Sequence, residues 1–155
     1  MMMDPAVVLA LAHIASQLSG YSLPNHPPPN VIELTTQEMH ETACGSGGDP
    51  GCMDDIGLYR DGDLIWVDSE YTNSAAGRVS ENSIVIHELV HWLQKEHAWG
   101  DGGGCAHAQA RENEAYRVEG RYIREYEHKS TSVTAPEMCY HLKTMDITIF
   151  GGPQQ

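Results

Sequence analysis

The chain has 155 residues, a net charge of −13 and a composition in which 41% of the residues are hydrophobic. This length suits one domain, taken here as residues 1–155, with enough chain to bury a core. Because a strongly acidic protein is repelled by phosphate backbones and anionic lipids, we expect neither nucleic acid nor a membrane surface as a partner. The apolar run near the N-terminus is too short to predict a membrane span.

Helical spacing of apolar residues predicts three long helices. They are an N-terminal helix from Asp4-Pro5 to Gly20, a central helix from Ser80 to the glycine run at 100–104, and a third helix over Ala106–His128. A last short helix is expected to start at Pro136 and to carry Met138, Leu142 and Met145, before an extended end at 147–150.

Short β-branched segments after a proline-rich linker predict three strands. They are Val31–Thr35, Ile56–Arg60 and Leu64–Asp68. The turn signal Asp61-Gly62-Asp63 joins the last two strands as a hairpin, whereas residues 39–55 and 69–79 are predicted to be irregular. Because the strands precede the main helices, the predicted class is α+β, with a small antiparallel sheet packed on the central helix and the long helix after it.

The central helix carries the pattern H-E-x-x-H at His87-Glu88-Leu89-Val90-His91. His87 and His91 lie one helical turn apart, so both imidazoles project from one face and can reach the same tetrahedral Zn²⁺. Glu88 is turned about 100° from His87, which suits a general base acting on a metal-bound water. A buried helix that carries two histidines by chance is the alternative. The apolar flanks favour a metal, because unpaired buried polar groups are costly.

Three residues compete to be the third ligand that a catalytic zinc usually takes. Glu112 and Glu114 differ by about 200° around the third helix, so only one of them can face the metal. Glu112 lies nearer to the apolar stripe, which favours it and leaves Glu114 as an alternative. His97 would complete the H-E-x-x-H-x-x-x-x-x-H spacing of the metzincins. However, Gln94 stands where that family has a glycine that turns the chain out of the helix.

Two segments carry a wider resemblance, His87–Gln94 and Arg111–Tyr116. They resemble an uncharacterised bacterial zinc metallopeptidase family with an H-E-L-V-H-x-L-Q helix and a later R-E-x-E-A-Y helix. More widely the chain is similar to the gluzincins, zincins whose third ligand is a glutamate on a following helix, often in E-x-x-A-[DE]. Glu112 fits that register, whereas Tyr116 departs from it. The resemblance implies a minimal zincin-like domain with a gluzincin-type zinc site.

The motif and the resemblance together predict a zinc-dependent metallopeptidase that hydrolyses peptide bonds with a zinc-activated water, with Glu88 as the general base. Candidates for the donor that stabilises the oxyanion are Tyr71, Tyr116, His128 and His141. In related peptidases the substrate lies along an edge strand, and Leu64–Asp68 is predicted to be that strand. The alternatives are a metzincin-type site that uses His97, a non-catalytic zinc-stabilised binding module, and a toxin or effector protease domain. Whether an inhibitory partner exists is left open.

The four cysteines permit two disulfides, and we predict the pairs Cys44–Cys52 and Cys105–Cys139. A flexible glycine-rich loop separates the first pair. Free thiols are the alternative. Paired cysteines would favour a secreted or periplasmic location, and unpaired ones the cytoplasm. The N-terminal segment is not predicted to be a signal peptide, because no basic residue precedes its apolar run.

Overall fold

A computed structural model describes residues 1–45, 57–60, 63–74, 79–99, 103–130, 132–137 and 139. Within these ranges the chain forms five helices and three strands. In chain order they are α1 (Pro5–Ser19), β1 (Asn30–Leu34), α2 (Thr36–Cys44), β2 (Gly57–Arg60), β3 (Leu64–Asp68), α3 (Ser69–Ser74), α4 (Glu81–Glu96) and α5 (Gly104–Glu125). The predicted α+β class is confirmed.

The sheet is mixed, with the strand order β1-β3-β2. β2 and β3 form the predicted antiparallel hairpin, but β1 pairs with β3 in parallel, with Val31 opposite Ile65. The predicted all-antiparallel sheet is therefore wrong. The connection from β1 to β3 contains α2 and β2, and its length allows β3 to return parallel to β1. Because β3 is the central strand, the prediction that Leu64–Asp68 forms the edge is also wrong, and β2 is the edge strand beside α4.

Helix α3 and most of α2 lie in segments that were predicted to be irregular, 69–79 and 39–55. α2 begins with a capping box, in which Thr35 Oγ1 accepts a hydrogen bond from the Glu38 amide (3.2 Å) and the Glu38 carboxylate accepts one from the Thr35 amide (2.8 Å). α3 begins at the end of β3, where Asp68 Oδ1 accepts hydrogen bonds from two amides of its first turn. Polar side chains that satisfy helix N-termini therefore explain both missed helices.

Helix α4 is the centre of the core and packs against α1, α5, β2 and β3. Its N-cap is Ser80, and the Ser80 hydroxyl accepts a hydrogen bond from the Ser83 amide (3.0 Å). Six of its apolar side chains have no exposed surface: Val85, Ile86, Leu89, Val90, Trp92 and Leu93. Contact with two helices and the sheet explains why this helix is apolar nearly all round.

Helix α4 ends at Glu96, before the glycine run that was predicted to end it. The Trp99 amide donates to the Gln94 carbonyl (3.1 Å), and the Ala98 amide donates to the Lys95 carbonyl (3.1 Å). Ala98 has a φ of +61°, in the left-handed region. These features form a Schellman motif in which alanine occupies the position that usually holds glycine.

A disulfide holds the first turn of α5. Gly103 precedes this helix with a φ of +106°, and no side chain caps the helix N-terminus. Cys105 is bonded to Cys139, as predicted, with 5.4 Å between their Cα atoms. Cys44 is also disulfide-bonded, and its predicted partner, Cys52, lies outside the described residues.

The short helix that was predicted after α5 does not begin at Pro136. Pro136 and Glu137 are not helical, and the rest of the short helix predicted there, like the extended end at 147–150, falls outside the described ranges. None of the helices within those ranges is long and apolar enough to cross a membrane.

Candidate metal centre

Three side chains from two packed helices meet at one point. His87 and His91 come from α4 and Glu112 from α5, and their potential ligand atoms lie within 4.8 Å of one another. The two imidazole Nε2 atoms are 3.1 Å apart. Glu112 Oε1 lies 3.1 Å from His91 Nε2, and Glu112 Oε2 lies 3.3 Å from His87 Nε2. Two ligands of a tetrahedral zinc ion are roughly 3.3–3.4 Å apart, so this triangle is close to the size that the ion requires.

The face of α5 that turns towards α4 explains how Glu112 reaches the two histidines. Glu112, Ala115 and Glu119 are three, four and seven residues apart, so they lie on one face of the helix. Ala115 and Glu119 are both buried against α4. A small side chain at Ala115 allows the helices to approach closely, which brings the carboxylate within reach of both imidazoles.

Each histidine also has a partner on its other ring nitrogen. His87 Nδ1 lies 3.1 Å from Glu119 Oε2, and His91 Nδ1 lies 2.9 Å from Gln94 Oε1. An ionised carboxylate and an amide oxygen can each accept a hydrogen bond, but neither can donate one. Both Nδ1 atoms therefore carry a proton and donate, so that whenever the imidazoles are neutral their Nε2 lone pairs are directed at the centre of the triangle.

The centre of the triangle is thus surrounded by hydrogen-bond acceptors. Two Nε2 lone pairs and the Glu112 carboxylate face one another, and this arrangement is repulsive unless a cation or a proton lies between them. In the metal-free chain, burial lowers the pKa of His87, but hydrogen bonds with Glu112 and Glu119 outweigh it and raise that pKa to about 10. Burial acts to raise the pKa of Glu112, but hydrogen bonds with the two histidines hold it well below its usual range.

Glu88 lies beside this group and is buried between α4 and the edge strand β2. Burial raises the pKa of its carboxyl, and the nearby histidines and the Tyr59 amide partly oppose the effect. Gly57 of β2 lies against it so closely that an added Cβ would be 2.7 Å from Glu88 Oε1 and 2.6 Å from Ile84 Cγ2. The absence of a side chain at this position of the strand therefore makes room for the carboxylate.

The two alternative third ligands lie elsewhere. Glu114 accepts a hydrogen bond from the Gln94 side-chain amide (3.2 Å) and is not part of the triangle. The ring of His97 stacks on Tyr21 with 5.0 Å between centroids, and His97 Nε2 lies 2.9 Å from the Ser22 carbonyl oxygen. A helix that continues to Glu96 turns His97 towards the segment after α1 and away from His91.

Of the three candidates for an oxyanion donor that the structure describes, Tyr116 is the one whose ring contacts a member of the triangle. It meets the ring of His87 edge to face, with 4.5 Å between centroids. Tyr71 is exposed on α3, His128 follows α5 with a φ of +55°, and His141 lies outside the described residues. Tyr116 sits one turn after Glu112 on α5, which explains its proximity.

Glu119 and Gln94 were not identified from the sequence as partners of the site. A signal was present for each of them: Glu119 is seven residues after Glu112 and so shares its helix face, and Gln94 is three residues after His91. Both side chains are almost completely buried, which for polar groups requires a partner.

The site is thus a possible metal-binding cluster of two imidazoles and one carboxylate, with a buried glutamate beside it. No other group of three metal-ligating side chains gathers in this way within the part of the chain that the structure describes. Comparisons with protein-family models, with curated proteins and with solved structures gave no match for this chain.

Proposed function

We propose that this chain is a zinc-dependent metallopeptidase in which His87, His91 and Glu112 bind the metal and Glu88 is the general base. One observation supports the proposal most strongly: three acceptor atoms converge while both imidazole Nδ1 protons are already committed to other partners. A divalent cation satisfies all three acceptors at once. Catalytic zinc sites use such a ligand set, in which two imidazoles and one carboxylate bind the ion and one coordination position stays open.

The donor set also favours zinc over other divalent ions. Ca²⁺ and Mg²⁺ prefer shells made of oxygen atoms, whereas the cluster offers two nitrogen atoms and one carboxylate. A structural zinc site would need a fourth protein ligand, and the cluster has three members among the described residues. These features favour a catalytic site over a non-catalytic binding module, which is the second candidate.

The side chains of the site can be given roles in peptide hydrolysis. Bound zinc would supply Lewis-acid activation of water and of the scissile carbonyl group. Glu88 would accept a proton from the attacking water on its carboxylate and pass it to the leaving amine, a role that suits a carboxyl whose pKa burial has raised. Tyr116, in contact with His87, is our candidate donor to the oxyanion.

We propose a peptide or protein as the substrate and an oxidising compartment as the location. A peptide could add to the sheet along β2, the edge strand beside α4, through main-chain hydrogen bonds. The Cys105–Cys139 disulfide supports a secreted or periplasmic protein, because such bonds are rare in reducing compartments.

The test compares zinc content and peptide cleavage in matched variants. At saturating zinc the wild type should bind one ion per chain, Glu112→Gln should lose it, and Glu114→Gln and His97→Ala should still bind one ion. Glu88→Gln should keep zinc but lose cleavage of a mixed peptide library. A wild type without zinc after reconstitution would overturn the metal site. Equal inactivity of zinc-loaded wild type and Glu88→Gln would instead support the binding module.

A further inference from the structure

A chain of hydrogen-bonded side chains leads away from the metal cluster through His91. His91 Nδ1 donates to Gln94 Oε1 (2.9 Å), and Gln94 Nε2 donates to Glu114 Oε1 (3.2 Å) and to the Arg111 carbonyl (3.0 Å). Glu114 in turn accepts a hydrogen bond from the Tyr21 hydroxyl, on the segment that follows α1. This series of hydrogen bonds therefore connects α4, α5 and the end of α1 to one ligand of the cluster.

The direction of every bond in this chain is fixed by chemistry. Gln94 is 1% exposed, and its amide nitrogen faces two groups that can only accept, a carbonyl and a carboxylate. A flipped amide would place its oxygen against both of these acceptors. The unflipped amide therefore presents its oxygen to His91, which must then hold its proton on Nδ1 and leave Nε2 free.

The donor and the acceptor are also defined at the far end of this series of hydrogen bonds. Burial, and next the hydrogen bond to Glu114, raise the pKa of Tyr21 to about 12, so its hydroxyl remains a donor. The Trp99 side chain supplies a hydrogen bond to Tyr21 in turn. Glu114 thus accepts from both sides, which holds its carboxylate in place as an anchor for the Gln94 amide.

We propose that Gln94 is a positioning residue for the metal site, and that Glu114 anchors it and is not itself a ligand. Gln94 sets the tautomer and the ring orientation of His91 so that Nε2 faces the metal. This inference rests on the proposed metal site. It extends that site to Glu114 and Tyr21, which are not members of the ligand triangle.

The two histidines differ in how they are held, which makes the inference specific to His91. His87 has a charged partner, Glu119, whereas the partner of His91 is a neutral amide. A neutral acceptor attracts the Nδ1 proton less strongly than a carboxylate does. The orientation of His91 therefore depends on how firmly the amide is held by its own two acceptors.

The test measures metal affinity and coordination geometry in Gln94 variants of the full chain. Dissociation constants for Zn²⁺ come from competition with a chelator, and the visible spectrum of the Co²⁺-loaded protein reports the ligand geometry. Gln94→Met keeps the volume but removes the acceptor, so we expect affinity to fall about 10–100-fold and the Co²⁺ bands to shift. Val85→Ala is the control, because this fully buried residue lies about 200° around α4 from His87. It should lower thermal stability without changing the affinity or the spectrum.

Exchanging the glutamine and the glutamate between positions 94 and 114 distinguishes a positioning role of Gln94 from a role in packing alone. Gln94→Glu places a second carboxylate against Glu114, so it should weaken metal binding. Adding Glu114→Gln restores a donor to that contact and should return the affinity at least to that of the wild type, because a carboxylate holds the His91 Nδ1 proton more strongly than an amide oxygen does. The Arg111 carbonyl loses its donor equally in both variants, so the rescue cannot come from that bond.

Each outcome bears on one of the two proposals. Wild-type affinity and spectrum in Gln94→Met would overturn the positioning role, as would an equal loss in Val85→Ala or a failed rescue by the double variant. A wild type that binds neither ion would overturn the proposed metal site itself, which is a distinguishable failure.

Discussion

Glu119 Oε2 lies 3.1 Å from His87 Nδ1, and both residues are more than 90% buried between α4 and α5. A carboxylate at this position fixes the proton of the imidazole on Nδ1 and increases the basicity of Nε2. Metal-binding histidines almost always have such a partner, so the pair is consistent with the proposed zinc site.

Replacing Glu119 with glutamine should weaken zinc binding about 10–100-fold. Glutamine keeps the shape and an acceptor oxygen, but it removes the charge that holds the His87 proton. Chelator competition with metal-free protein measures the effect. Glu125→Gln is the matched control, because Glu125 is on the same helix and pairs with Arg121 at the surface. Equal affinity in Glu119→Gln and the control would contradict a role for the carboxylate.

The sequence predicted that His87, His91 and Glu112 lie together, because local helical geometry relates the two histidines, and the helix face of Glu112, with the gluzincin resemblance, favoured its carboxylate. Two residues four apart share a face in any α-helix, and the face of Glu112 follows from the apolar stripe of its own helix. The partners of the imidazoles were harder to find. Whether Glu119 reaches His87 depends on the depth and angle at which α5 packs on α4, and no local pattern specifies these.

The sheet was only partly predictable for the same reason. The hairpin of β2 and β3 follows from a short turn signal, which is local. The parallel pairing of β1 with β3 joins residues that are far apart in the chain, and it depends on the crossover that contains α2. The capping box of α2 at Thr35 and Glu38 was present in the sequence and was missed. Because no helix was predicted between β1 and β3, an antiparallel sheet was the simpler expectation.

Gly57→Ala should destabilise the protein by roughly 1–3 kcal/mol. The added Cβ would lie 2.6 Å from Ile84 Cγ2 and 2.7 Å from Glu88 Oε1, so strand β2 or helix α4 must move. Urea unfolding of the metal-free protein measures the change. Because Ile84→Ala removes one of the two clashing atoms, the double variant should lose less stability than the sum of the single variants. Strictly additive losses would show that the strand does not pack against Ile84 in this way.

Ala98→Gly should stabilise the protein by about 0.5–1 kcal/mol. Ala98 has a φ of +61°, where a Cβ costs about 1–2 kcal/mol, and the greater freedom of glycine in the unfolded chain offsets part of the gain. Ala110→Gly makes the same change at an exposed position inside α5 and should instead cost about 1 kcal/mol. Denaturant midpoints of the two variants should therefore move in opposite directions. A loss of stability in Ala98→Gly would contradict the Schellman end of α4.

Glu81, in the first turn of α4, should make the stability of the metal-free protein fall between pH 4.5 and about 7. Burial, and next the carboxyl of Glu33, raise the pKa of Glu81 from 4.5 to about 7. The folded chain then holds this proton more tightly than the unfolded chain does. The stabilisation is therefore complete below pH 4.5 and is lost as the pH rises through the folded pKa.

Glu81→Gln should flatten that fall, because glutamine stays neutral at every pH. The measurement is the free energy of unfolding in urea at several pH values from 4.5 to 7.5, with a chelator present so that metal binding does not contribute. Glu38→Gln is an instructive comparison, because hydrogen bonds from Thr35 lower the pKa of Glu38. The contribution of Glu38 to stability is already complete above pH 4.5. Glu38→Gln should therefore lower the free energy of unfolding by nearly the same amount at every pH in this range. A Glu81→Gln curve parallel to that of the wild type would show that the pKa of Glu81 is not raised in the folded chain.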